Sequence, residues 1–245
     1  MHIDVAGRAL PIRPGLADAI DDAWRRVACA GTWWSGRERV AIAAEVRQAA
    51  TCALCQARKA ALSPYTVAGQ HDVVSDLPDE AIEAVHRLAS DAGRITETWV
   101  RGLIEGPLGE ERYVEIVALA AIVTGLDTFE RALGRPLRAL PEPVAGEPTR
   151  VRPAGARRDL AWVATLAPED IVAGEPDPFA VHGDKNIHRG VSLVPQEVFN
   201  FFELDVELYL RDEEIRDFER EYRAINHAQI ELIAARASAI NACFY

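Results

Sequence analysis

Apolar residues in this chain recur mostly at helical spacing, and no stretch shows the alternation expected of a strand. The first long helical segment is predicted over 35–62. It opens on Ser35 with Glu38 three residues later, a capping-box pattern in which each side chain satisfies the other residue's backbone N–H. Ser63-Pro64 closes it. Further helices are predicted over 78–90, with Asp79 and Glu80 in the first turn, over 96–105, closed by Gly106-Pro107, and over 110–133, with Gly134 as the residue past the end. The last of these is almost wholly apolar over 116–123, which predicts burial on most of its faces. Pro136, Pro141, Pro143, Pro148 and Pro153, with Gly146 and Gly155, then predict an extended connector. Residues 161–190 read as irregular, and helices resume over 195–210, 212–225 and 229–245. Trp24 and Trp99 are expected on amphipathic helices as packing residues, and Trp33 and Trp34 as a staple before the Ser35 cap. The expected fold class is all-α.

An internal repeat orders these elements. At an offset of 191 residues, Ile233-Ala234-Ala235 falls on Ile42-Ala43-Ala44, Glu231 on Val40, Arg236 on Glu45 and Cys243 on Cys52. The expected organisation is therefore a first helical repeat over 1–134, a connector and irregular region over 135–190, and a second, incomplete repeat over 191–245. The counterpart of Cys55 would fall just past Tyr245.

Composition narrows the function classes. The hydrophobic set makes up 49% of 245 residues and charged residues 27%, which are ordinary globular values. The net charge of -11 argues against a general nucleic-acid binder or a protein of anionic membrane surfaces. No run approaches the ~20 apolar residues of a membrane span, and the N-terminus lacks a basic region followed by an apolar block, so a cytoplasmic location is expected. Four cysteines are too few for a disulfide scaffold of this length.

Cys52-Ala53-Leu54-Cys55 is the sharpest chemical feature. On one helix, thiols at i and i+3 share a face and can cycle between dithiol and disulfide. Glu45, seven residues before Cys52, and Lys59, four after Cys55, are expected on the same stripe. An ammonium there would favour the reactive thiolate, and a carboxylate could pass a proton. Two buried small side chains in an Ala-rich core remain the plain alternative, as does a solvated face for Glu45 and Lys59. Zinc is disfavoured because a structural site wants four ligands and no second CxxC or spaced His pair is present, and His182 and His188 have no evident link to the thiols. No metal and no cofactor is expected. Cys29 reads as an inert core thiol, Glu115 as a buried paired carboxylate or a secondary proton relay, and the acidic run 212–221 as a solvated face.

Glu45 followed by six residues and Cys-Ala-Leu-Cys, with Tyr113-Val114-Glu115-Ile116-Val117 later and the run from Gln229 through Cys243-Phe244-Tyr245, resembles the alkyl hydroperoxidase D / carboxymuconolactone decarboxylase superfamily. The likeness covers most of the chain, in two copies, and is weakest over 135–195. It implies an all-helical bundle, assembly into homo-oligomers (dimer, trimer or hexamer), reduction of an organic hydroperoxide through a CxxC pair, and re-reduction by an external dithiol. Carried over, Cys55 attacks the peroxide and Cys52 resolves it. The chain departs from the family pattern in having Lys59 where a His is expected and Val40 where the relay Glu is expected. Glu45 and Glu38 are the substitutes in sequence, and His86 or His71 the imidazoles that could complete a proton path. In the second copy Glu231 stands at the family's spacing from Cys243. A helical assembly module without catalysis, and a lactone decarboxylase-type enzyme that needs no thiols, are the alternatives.

Overall fold

The computed structural model describes residues 2–241 and 243. Ala242, Phe244 and Tyr245, which complete the second-copy run, lie outside the described residues, as does Met1.

The described residues are mostly helical, with ten α-helices and one two-stranded sheet. The sheet corrects the expectation of no strands. β1 (His2–Val5) pairs antiparallel with β2 (Arg8–Pro11), and Ala6 and Gly7 between them both take positive φ, as a two-residue hairpin turn requires. α1 (Pro14–Val27) follows, with Pro near its start and Ala17, Ile20, Ala23, Trp24 and Val27 buried along one stripe.

The segment predicted as one helix over 35–62 is two. α2 (Gly36–Gln48) opens with the expected capping box, both Ser35 and Glu38 bonds being present. Gln48 O then accepts from both Thr51 N–H and Cys52 N–H, which tightens the last turn and ends the helix. Cys52 is extended (φ -64, ψ 123) and caps α3 (Ala53–Ala60). Thr96 caps α5 (Glu97–Ile104), which follows α4 (Asp79–Asp91). α6 (Glu110–Ala132) is the buried centre predicted for it, with Val114, Ile116, Leu119, Val123 and Leu126 inaccessible, and Gly134 past its end takes φ +66. α4 packs on α2, α3 and α6.

The connector is extended and pinned to the first helices: Val144 N–H donates to Ala28 O and Arg150 N–H to Thr32 O. After the short α7 (Asn186–Arg189), α8 (Pro195–Leu208) packs against α1 and α6, and Leu193, Val194 and Leu204 enter the same core as α2, α4 and α6. A buried ion cluster ties α2, α6 and α8 together. Arg39 bonds Glu115 and, at 2.7 Å, Glu197, and Glu115 also accepts from Trp33 N–H at 2.6 Å. Burial raises the Glu115 pKa against the pull of Arg39. Gly31 makes room for this cluster, since a Cβ there would lie 2.0 Å from Glu115 Oε1.

The helix expected over 212–225 is only α9 (Asp212–Arg216). Asp217 accepts from Glu219 N–H and from the Tyr222 hydroxyl, a local turn that competes with helix. α10 (His227–Ile240) closes the described chain. Among the described residues, no helix is long and apolar enough to cross a membrane.

Candidate active site

The break after Gln48 places Cys52 at the N-terminus of α3, with Cys55 one turn on. Facing them is the segment 67–78, which carries His71, and α4, which carries Glu83 and His86. The segment is tied down by three bonds. Asp72 Oδ2 accepts from Ala53 N–H at 2.7 Å, Asp72 N–H donates to Cys52 Sγ at 3.4 Å, and Val74 N–H donates to Glu45 Oε1 at 2.9 Å. His71 is thereby held over the thiols.

One donor atom from each of Cys52, Cys55, His71 and His86 lies within 4.8 Å of the other three. His86 Nδ1 is 3.3 Å from Cys55 Sγ, and His71 Nδ1 is 3.5 Å from Cys52 Sγ and 3.6 Å from Cys55 Sγ. Each imidazole is backed by a carboxylate. His86 Nε2 meets Glu45 at 2.9 Å and His71 Nε2 meets Glu83 at 2.9 Å. Glu83 in turn accepts from Arg58 and from the Trp99 indole N–H. This pattern assigns the proton of each neutral ring to Nε2 and turns the Nδ1 lone pair to the sulfurs. Cys52, Glu45 and His86 are fully buried, and Cys55 is 3% exposed.

The electrostatics follow. Burial raises the Cys55 thiol, but the bonds to His71 and His86 more than offset it and bring the pKa down to about 6. Burial also works against Cys52, and the backbone N–H groups of Cys55 and Asp72 together with His71 leave it lowered. Burial lowers His71, while Cys55 and Glu83 bring it up to about 10. His86 is raised, as its bonds to Cys55 and Glu45 outweigh burial. Glu83 is raised by burial but held at about 2 by His71 and Arg58. The site sets two thiols, both shifted toward the thiolate, beside two imidazoles that each have a carboxylate partner.

Of the residues singled out in sequence, Cys52, Cys55, Glu45 and His86 come together. Glu45 does so from α2 through His86, and not along a shared helical stripe with the thiols. Lys59 does not join them: its side chain is exposed on α3. Glu38 is taken by the Ser35 cap. Glu115 is paired with Arg39 and forms no relay to the thiols. His182 and His188 line a separate cavity with Phe202. Cys29 is half-buried and lines a cavity of about 690 Å³ with Arg25, Arg26 and Asn200, so it is not a core thiol. Cys243 lies exposed beyond α10, and Glu231 bonds the Tyr209 hydroxyl. His71 and His86 stand together in sequence as candidate imidazoles, and Glu83 and Asp72 are not singled out; only the i, i+3 placement of Glu83 and His86 on one helix face points to a shared role.

These features define a mostly helical protein with a buried cluster of two thiols and two carboxylate-backed imidazoles. Compared with known proteins, the chain matches no family model, no curated protein and no solved structure.

Proposed function

We propose that this protein is a thiol-dependent, peroxidase-like oxidoreductase that reduces organic hydroperoxides through a Cys52/Cys55 dithiol–disulfide cycle, on a duplicated alkyl hydroperoxidase D-like arrangement. The observation that carries the reading is the relay Glu45–His86–Cys55, with His86 Nδ1 3.3 Å from the sulfur and Nε2 2.9 Å from the carboxylate. Its role is to take the thiol proton and keep it at hand for the leaving group.

The cycle has three steps. The Cys55 thiolate attacks the peroxide oxygen; the O–O bond breaks, the sulfur becomes a sulfenic acid, and the alkoxide leaves as the alcohol with the proton held at His86. The Cys52 thiol then attacks the sulfenic sulfur, the disulfide forms, and the Cys52 proton leaves with the sulfenic hydroxyl as water. An external dithiol carrier reduces the disulfide and is itself oxidised. Substrate reaches the sulfurs by displacement of the segment 67–78, whose Asp72, Val73 and Val74 are exposed. Homo-oligomer assembly belongs to this reading and is checked by light scattering.

The test is hydroperoxide consumption by the reduced, chelator-treated protein, with protein thiols counted before and after. Loss of two thiols per turnover is expected. Cys55→Ser should abolish consumption, and Cys52→Ser should stop at a sulfenic acid that a selective nucleophile traps. Unchanged turnover in both variants would refute the proposal.

A further inference from the structure

The four side chains have a second chemistry, independent of peroxide. We infer that the reduced protein binds one Zn²⁺ ion through Cys52 Sγ, Cys55 Sγ, His71 Nδ1 and His86 Nδ1.

The donor geometry comes first. A tetrahedral zinc with Zn–S of ~2.3 Å and Zn–N of ~2.0–2.1 Å sets its sulfur and nitrogen donors about 3.5 Å apart. Three of the four sulfur–nitrogen separations in the cluster are 3.3, 3.5 and 3.6 Å, and the fourth, between Cys52 and His86, is within 4.8 Å. All four donor atoms lie within 4.8 Å of one another, so they surround a common point. Two thiolates and two imidazoles in that arrangement are the donor set that selects zinc among the divalent metals through softness and geometry.

The surroundings agree. A histidine that ligates zinc through one nitrogen almost always gives its other N–H to a carboxylate or carbonyl, which fixes the tautomer and aims the lone pair. Here both histidines do so, His86 to Glu45 and His71 to Glu83. A catalytic relay needs one such pair; the second is unexplained by proton transfer to a single nucleophile. Cys55 Sγ also has two Nδ1 atoms within 3.6 Å, though a thiol has one proton to share. A cation at the centre satisfies every lone pair at once. The two rings lie 4.3 Å apart, close enough for one cation between them to replace the protons they would otherwise hold. The backbone N–H of Asp72 directed at Cys52 Sγ supports a thiolate there.

Four protein ligands leave no open position, so the bound ion is structural or regulatory and occupies both reactive sulfurs. A hydroperoxide that oxidises the zinc-bound pair yields the disulfide, one alcohol and one water, takes up two protons and releases Zn²⁺. The ion and the disulfide are mutually exclusive.

The test is titration of the reduced, chelator-stripped full-length protein with Co²⁺, followed by displacement with Zn²⁺. One saturable equivalent is expected, with the visible absorption of a tetrahedral site and a thiolate charge-transfer band, and the Cys52–Cys55 disulfide form should bind none. His71→Ala and His86→Ala should each weaken binding tenfold or more, while Cys29→Ser leaves it unchanged. Absence of saturable binding to the reduced protein would overturn the inference, as would an unaltered spectrum and affinity in both histidine variants. Circular dichroism reports whether those variants fold, and the cobalt spectrum of the unaltered protein decides the donor set without them. Peroxide turnover is measured separately with chelator present. Turnover without metal binding removes only the zinc inference, and metal binding without turnover removes only the peroxidase reading.

Discussion

His86→Gln isolates what one imidazole does for the thiol. The substitution removes the imidazole nitrogen 3.3 Å from Cys55 Sγ and leaves His71 Nδ1, at 3.6 Å, as the sulfur's remaining imidazole contact. A hydrogen bond to a charged group is worth about 1.5–3 kcal/mol, and one pKa unit is about 1.4 kcal/mol. Removing the bond therefore moves Cys55 up from about 6 by roughly one to two units, His71 continuing to hold it below an unassisted buried thiol. At pH 7 the thiolate fraction falls from about 90% to between about 50% and about 10%. The assay is a pH titration of thiolate ultraviolet absorbance in reduced, metal-free protein, with the Cys55→Ser titration subtracted; it needs no reagent to enter a buried site. The rate of reaction with hydroperoxide at pH 7 should fall by the same factor or more, since His86 also supplies the proton. An unchanged midpoint in folded His86→Gln, or an unaltered protein that titrates near the ordinary thiol value, would refute the reasoning.

Three further outcomes are expected. Lys59→Ala leaves hydroperoxide turnover unchanged, because the side chain stands in solvent away from both sulfurs; a clear fall in kcat/KM would contradict this. Asp72→Ala costs about 1 kcal/mol in urea unfolding by removing the acceptor at the α3 N-terminus, and it slows turnover by freeing the segment that positions His71. Arg39→Met costs about 3–5 kcal/mol because it leaves Glu115 and Glu197 buried without a counter-ion. Burial, which already raises Glu115, then acts without Arg39 to oppose it, so the folded-state pKa of Glu115 lies above its unfolded one. The folded state binds more protons, so stability is retained at acid pH and lost as pH rises past the ordinary carboxylate range, and urea midpoints at two pH values should diverge in that direction.

The Ser35 cap, the α4 to α6 spans and the burial of 116–123 were readable because local chemistry sets them: a reciprocal cap, a proline or glycine stop, an apolar surface on all sides. The α2–α3 break was not, because it lies in Gln48-Ala49-Ala50-Thr51, where no residue forbids helix and the signal is a doubly used Gln48 carbonyl. That single break also undid the expected stripe of Glu45, Cys52, Cys55 and Lys59. The hairpin over 2–11 is too short for a period-two pattern to rise above the surrounding helical one. Within the site, the thiols were legible as a spacing and Glu45 as a nearby acid. His71 and His86 stand 16 and 31 residues from Cys55, and only the packing of α4 and the bonds of Asp72 bring them to it. The sequence argument against zinc likewise counts ligands along the chain, whereas His71 and His86 approach the thiols from across it.

The proposed peroxide reduction and the inferred zinc binding rest on one structural decision, the direction of two lone pairs. A neutral imidazole with no fixed partner is free to choose either tautomer. Glu45, fully buried and anchored by Val74 N–H, removes that choice, and Glu83, fixed by Arg58 and Trp99, does the same for His71. A basic Nδ1 beside a sulfur takes a proton from a thiol when the site is empty and donates to a cation when one arrives. The carboxylates therefore matter for both chemistries though neither touches sulfur. Glu45→Gln, which keeps the shape and removes the charge, should weaken metal affinity and thiolate formation together, whereas a purely architectural Glu45 would leave both unmoved in a folded protein.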